Sequence, residues 1–432
     1  MTTLTRRSAL ARAAGLGVSV SFLGRAAFAD SDRDIARRKL VVVICRGGMD
    51  GLSVSPPVGD RDYANLRGRI ALAPFDQPGG ALKLDDTFGL HPALASVHKL
   101  AMAGQARIVP AVATPDRARS HFEAQDVLES GGTVAYGSGS GWLNRTLQAM
   151  AQGRKIEALS VGGTAPLILR GPIQAGSWSP GGLESHDQRL PRILADLYAN
   201  DPLLGPALAS GLQTQDMAKA AASLVEAQNT GAMATDADPA MGKLAAADGS
   251  NGKTGGLRGG NPAGARDIGT TVAKFMQEPN GPQIVAISID NFDTHANQGA
   301  ATGLLATRLT YLDNVLGGLA DGLGGEWSNT VMVAATEFGR TARVNGTGGT
   351  DHGTASTALV LGGGLKRTGI VGDWPTLQQA RLFENRDTAP TLDMRGLFKG
   401  VLTEHLGIDR KALDSQIFPD SAMAQAARGV VV

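Results

Sequence analysis

The sequence predicts an α/β fold on three observations. Short β-branched runs alternate with segments of helical spacing along most of the chain. The runs LVVVIC, IVAISID and VMVAAT are continuous enough in apolar residues to be buried on both faces. Acids and histidines follow those runs directly, and ligands bind outside the C-terminal ends of strands in open α/β sheets.

The chain opens on a targeting segment, residues 1–29. Arg6 and Arg7 precede a modestly apolar stretch over 9–24, and Ala27-Phe28-Ala29 has the small-x-small form of a cleavage site. This is the pattern of twin-arginine export, which implies a periplasmic or secreted protein and the twin-arginine translocase as a passing partner. The apolar stretch is too short and too rich in Gly and Ala for an anchor, so no membrane span is expected in the mature protein. Cleavage would leave 37 of the 41 basic residues against 40 acidic ones. With so even a balance and no long basic run, nucleic acid is excluded as a partner. The single cysteine, Cys45, rules out an intramolecular disulfide or a cysteine-built zinc site, and it reads as a small buried hydrophobe.

Residues 40–45 form the first predicted strand, followed by Arg46-Gly47-Gly48-Met49-Asp50-Gly51. The glycines turn the backbone sharply, so Asp50 lands at the strand end, as a turn residue or as part of a site. Residues 91–103 have helical spacing and 107–113 read as a strand. Ser120, with Glu123 three residues on, forms a capping box for a helix over 122–130. Ser120 or His121 would equally be presented at that helix N-terminus, where the dipole favours an anion or a nucleophilic oxygen. Residues 158–171 read as a strand pair or a strand and turn, and 188–198 and 207–228 as helices. Over 229–265 the composition shifts to Gly, Ala, Asn, Asp and Lys, a flexible insertion within one domain spanning 30–432.

A helix over 267–277 leads to the strand 284–290, which ends in Asn291-Phe292-Asp293-Thr294-His295. In extended backbone Asp293 and His295 point to the same side, as a metal half-site or as a hydrogen-bonded pair capping the next helix. That helix, 303–322, carries Leu305, Leu309, Leu312, Leu316 and Leu319 as a core-facing stripe. It leads to the strand 331–336, with Glu337 immediately after. Arg340 would hold a phosphate or sulfate oxygen, or pair with Glu337. A loop rich in Gly and Thr then delivers Asp351 and His352 before a strand over 358–364. A helix over 392–406 follows, with His405 as a surface or packing residue. His98 and His186 lack carboxylate neighbours and take no role.

The segments RGGMDGLS, RSHFEAQD, DTHANQ, TEFGRT, GGTDHG and GGGLKRTGIVGDWP, in that order over about 40–419, resemble the DUF1501 family of exported bacterial proteins. That family is similar to the alkaline phosphatase and sulfatase superfamily. The resemblance implies a three-layer α/β sandwich with a mostly parallel central sheet and a two-metal site. It implies Asp50 as a ligand after the first strand, Ser120 as nucleophile, Asp293 with His295 after a later strand, and His352 beside Asp351 as the last ligand. Glu337-Phe338 stands where the superfamily usually has an Asp-His pair. Asp50, Asp293, His295, Glu337, Asp351 and His352 together suit Zn²⁺ or Mn²⁺, or Ca²⁺ where only oxygens bind. The activity so implied is metal-dependent hydrolysis of phosphate or sulfate esters, with Ser120, His121 and Arg340 at the reaction. The competing class is a non-catalytic exported protein that keeps the fold for binding.

Overall fold

At the centre lies β1 (Lys39–Cys45), parallel to β7 (Ile284–Ile289) on one side and to β8 (Thr330–Ala335) on the other. The computed structural model describes residues 37–151, 157–162, 166–180, 196–198, 201, 257 and 262–432. Beyond β8 come β9 (Ser356–Gly362) and β4 (Ala106–Ala113), with β10 (Gly369–Ile370) and β11 (Leu392–Asp393) both paired to β4. Beyond β7 come β5 (Ala158–Val161) and β6 (Gly176–Trp178). Every pairing in this sheet is parallel except those of β9 with β8 and β4. A small antiparallel ribbon, β2 (Leu82–Lys83) with β3 (Gly89–Leu90), stands apart.

Alternate residues of β1 enter two different cores, as the pleat requires. Val41, Val43 and Cys45 pack with α3 (Ala95–Met102), α6 (Ala265–Gln277) and α7 (Leu304–Leu323). Leu40, Val42 and Ile44 pack with α4 (His121–Ser130), α5 (Trp142–Met150) and α8 (Met394–Leu406). Helices therefore cover both faces, and the architecture is the expected three-layer α/β sandwich. The leucine stripe of α7 is buried throughout, and α7 carries the chain from β7 to β8 across β1. The Cys45 thiol is fully buried, and burial pushes its pKa up.

Several boundaries differ from the sequence expectation. The helix expected over 91–103 begins only at Ala95, because Pro92 disfavours helical backbone at His91. His91 is instead buried in the preceding turn, its Nδ1 accepting from Ala93 N at 3.0 Å. In β4, Pro110 offers no N–H, and the register with β9 shifts between Val109 and Val112, with Ala111 at positive φ. The capping box is not formed: Ser120 is the N-cap residue of α4, but its side chain makes no cap hydrogen bond. The leader over 1–29, the helix over 207–228 and most of 188–198 and 229–265 lie outside the described residues. Within that last span Leu257 is fully buried and pairs with Ile289 at the end of β7. Among the described residues, no helix is long and apolar enough to cross a membrane.

His405, expected at the surface or in packing, is buried in α8, with Nε2 2.8 Å from the carbonyl of Lys39. Burial lowers its pKa to about 4. Below its ordinary value near 6.5 the unfolded chain takes up a proton that the folded protein refuses, so stability falls as pH drops from about 6.5 toward 4. We expect His405→Gln, which keeps an N–H donor, to remove up to about 3 kcal/mol of that acid sensitivity. Urea unfolding at pH 4.5 and 7 checks this, and an unchanged pH dependence would refute it.

Candidate metal centre

The exits of β1, β7 and β8 are locked together by one guanidinium. Arg340, fully buried, donates from Nε to Gly48 O (2.7 Å) and from Nη1 to Thr350 O (3.0 Å). Its Nη2 donates to the carbonyl of Gly47 and to Asp293 Oδ1. Glycine is required at both contacted positions of the β1 exit. A Cβ at Gly47 would lie 2.6 Å from Asp293 N, and one at Gly48 would lie 2.4 Å from the Phe338 ring. The sequence left Arg340 open between an ester oxyanion and Glu337; it pairs with Asp293 instead, and all three of its nitrogens are engaged.

Asp293 is the hub on which three imidazoles converge. His295 Nε2 and His352 Nε2 lie 3.0 and 3.2 Å from its Oδ1, and His121 Nε2 lies 3.3 Å from its Oδ2. Ligand atoms of His121, Asp293 and His352 all fall within 4.8 Å of one another. Each ring is oriented from behind by an acceptor at Nδ1. For His121 it is Glu337 Oε1 at 2.9 Å, for His352 the carbonyl of Arg119 at 2.8 Å, and for His295 Asp351 Oδ1 at 3.3 Å. Carboxylates and carbonyls can only accept, so each Nδ1 carries a proton, and in the neutral ring Nε2 faces the hub as a lone pair. Asp293 also only accepts, so its contact with each Nε2 needs a proton or a cation between them. Two such lone pairs, on His295 and His352, stand 3.0 Å apart. Lone pairs at that distance repel unless a proton or a cation lies between them.

The positions of these groups follow from their backbones. Asn291 and Asn297, both at positive φ, bracket the loop holding Asp293 and His295; asparagine tolerates that conformation better than most residues. Arg119, at φ +57°, directs its carbonyl at His352 and is itself held by Asp387 (2.9 Å) and Glu384 (2.5 Å). Glu337 is fully buried and also accepts from Gly47 N at 2.8 Å and Gln125 Nε2 at 3.2 Å.

Electrostatics at the hub are dominated by pairing over burial. Burial opposes a charge on His121, but the carboxylates of Asp293 and Glu337 outweigh it and push its pKa up to about 9. Burial also opposes the Asp293 and Glu337 carboxylates. His121, His352 and Arg340 nevertheless hold Asp293 well below the usual range, and His121 with the Gly47 amide lowers Glu337.

The profile of the family described as "Protein of unknown function (DUF1501)" matches residues 37–417. The chain belongs to the DUF1501 family. A search of curated proteins finds no match. Among solved structures, this DUF1501 chain is similar to the lipoteichoic acid synthase LtaP from Listeria monocytogenes, at 9% identity and TM-score 0.39, over 90% of this chain and 76% of that one. It is also similar to the C-terminal periplasmic domain of EcEptC from Escherichia coli in complex with Zn, at 10% identity and TM-score 0.37, over 91% of this chain and 87% of that one. A Vibrio parahaemolyticus protein in the alkaline phosphatase superfamily matches at 11% identity and TM-score 0.37, over 89% of this chain and 70% of that one. Likenesses so distant say nothing of activity.

The donor set of this DUF1501 member fits one divalent ion: up to three imidazole nitrogens and a carboxylate, each ring backed by an outer partner. His121 Nε2 supports the fit, being buried with no hydrogen-bond partner despite its 3.3 Å approach to Asp293. A second ion fits less well. Asp50 Oδ2 is taken by Arg67, Ser53 Oγ (2.8 Å) and Gln298 Nε2 (2.6 Å), so a buried guanidinium supplies the positive charge beside it. Asp351 and Glu337 stand behind the histidines, and Phe338 packs against the rings of His121 and His352 at 4.9 and 4.8 Å. Sequence reasoning missed Arg67, Gln298 and the carbonyl of Arg119. Gln298 and Arg119 left a signal, as the last residue of the DTHANQ segment and the first of RSHFEAQD; Arg67 left none.

Removing one partner of a buried ion pair strands the other, so Arg340→Ala should cost about 3 kcal/mol, at the low end for such pairs because Asp293 is partly exposed. Arg340→Lys should recover little, since an ammonium cannot reproduce the planar fork. Denaturant unfolding of both variants is the check; a near wild-type Arg340→Lys would show that charge alone matters.

Proposed function

We propose that this chain is an exported, metal-dependent hydrolase of phosphate or sulfate esters with a single-ion centre. The observation that carries the reading is the convergence of three outward-braced histidines on Asp293, two with Nε2 atoms 3.0 Å apart. A bound Zn²⁺ or Mn²⁺ would supply Lewis acidity toward the ester oxygen. The chain supplies the rest. Asp293, His295, His352 and His121 hold the ion; Glu337, Asp351 and the Arg119 carbonyl keep the three rings in the tautomer that leaves Nε2 free. Ser120 makes no cap bond. Its hydroxyl, at the start of α4, would attack phosphorus or sulfur as it gives its proton to water and the ester's alcohol leaves. A second water would then release phosphate or sulfate from the serine. The uncapped amides of that first turn favour the ester's negative charge. Its Arg6-Arg7 leader would route the protein to the periplasm or beyond.

The rival reading, a non-catalytic protein that keeps the fold, is favoured by one observation. Arg340 and a charged His121 neutralise Asp293 and Glu337 with no ion at all. Metal analysis of the mature protein exported in its native host separates the two, with absence of bound metal refuting the hydrolase. Hydrolysis of p-nitrophenyl phosphate and p-nitrophenyl sulfate, with Asp293→Asn and Ser120→Ala, then tests the assignment. Activity that survives Asp293→Asn would overturn it, and activity that survives Ser120→Ala would move attack to water.

Two quantitative outcomes follow for the ion itself. Glu337→Gln, which loosens the hold on His121, should weaken metal affinity about 10–100-fold, as for other outer-shell partners. Because His121 keeps its proton until about pH 9, that proton must leave when the ion binds. Affinity should therefore rise by about tenfold per pH unit up to about 9. Competition titrations at pH 6, 7 and 8 read both, and a pH-independent affinity would exclude His121 from the ligand set.

A further inference from the structure

A cavity of about 240 Å³ opens between the loop after β8 and the turn over 382–386. A similar one of about 220 Å³ lies at the other end of the sheet, lined by Arg38, Glu404 and His405, far in the fold from the histidines. The first shares Asp351 with the candidate centre: its Oδ1 is the outer partner of His295. Arg386, also in its wall, donates from Nη2 to the carbonyl of His352 at 2.8 Å. The cavity thus backs onto the imidazole of His295 and the backbone of His352.

We propose that this cavity binds an anionic, hydroxylated group such as a sugar bearing a sulfate, phosphate or carboxylate. It is smaller than the ~300–1,000 Å³ typical of sites that enclose a whole ligand, so it suits one end group of a larger molecule. On the hydrolase reading above, that group is the part of the substrate that is not cleaved.

The charges around the cavity decide which group it takes. Arg119 is answered by Glu384 and shares buried Asp387 with Arg386. Asp351 is turned toward His295 and toward Asn345 Nδ2 at 3.1 Å. Arg343 is exposed, and among the described residues its guanidinium meets no acid or acceptor. An anion therefore settles on Arg343, with Arg386 beside it. The amide of Asn385 and the carboxylate of Asp351 offer acceptors and a donor for hydroxyls, whereas the Asn345 amide is spent on His295, Thr347, Gly349 and Asp351. Leu382 and Val344 present an apolar wall of the kind that lies against the C–H face of a sugar ring.

The test is calorimetric titration of the EDTA-treated full chain with glucose 6-sulfate and glucose 6-phosphate, with glucose and inorganic sulfate as controls. Both anionic sugars should bind more tightly than either control. Arg343→Ala, at an exposed position that leaves folding intact, should weaken them about tenfold, as loss of a charge-assisted hydrogen bond would. Lys99→Ala, at an exposed position of α3 outside the cavity, should leave the affinity within about twofold. The proposal is overturned if neither sugar binds, if Arg343→Ala binds as well as wild type, or if inorganic sulfate binds as tightly as the sugar sulfate. Equal loss of binding in Lys99→Ala would show that the effect of Arg343→Ala is not local and would also overturn it. Because the titration is metal-free, failure of the ester assays would sink the hydrolase reading without touching this result.

Discussion

The pairing of Arg340 with Asp293 is the constraint on which the rest of the site depends. A guanidinium sealed from water must find acceptors for its N–H groups, and here they are carbonyls of the β1 exit, the β7 exit and the loop after β8. One side chain therefore sets the distance between three strand ends. Asp293, placed by that contact, then sets where the histidines meet. The negative charge gathered at the hub is matched in part from within the chain, by Arg340 on Asp293 and by His121 on Glu337.

A second buried pair works one layer away. Arg67 and Asp50 are both shut off from solvent, and Gln298 connects them to the loops above. Its Nε2 donates to Asp50, while its Oε1 accepts from Thr294 and Thr350 at 2.8 and 2.9 Å. Those threonines are chain neighbours of Asp293 and Asp351. The short helix Tyr63–Arg67 is thereby joined by hydrogen bonds to the chain neighbours of Asp293 and Asp351.

Most of the fold was legible because its signals are local. The β-branched runs, the leucine stripe of α7 and the acids at strand ends each report on their own segment, and each reappears where expected. Strand order and the antiparallel course of β9 were not legible, since neither is written in a local pattern. The site divides the same way. Asp293, His295 and His352 stood out as acid and imidazole at strand exits, and the structure brings them together. What their outer atoms touch depends on contacts far apart in sequence: Arg119 to His352, Glu337 to His121, Arg67 to Asp50. Ser120 illustrates the converse error, because a sound local motif predicted a cap bond that the tertiary structure does not use.

The antiparallel return of β9 beside β8 has a consequence for how the site assembles. Glu337, Arg340 and His352 all lie on one hairpin connection, which can close early because the segments it joins are neighbours in sequence. Asp293 joins Arg340 across 47 residues, whereas His121 must meet Glu337 across 216 and Gly48 must meet Arg340 across 292. Closure entropy grows only slowly with length, but such contacts wait on the sheet between them. The loop bearing His352 is thus the most local part of the site, which Asp293 reaches from the neighbouring unit and Gly48 and His121 from the N-terminal third of the chain.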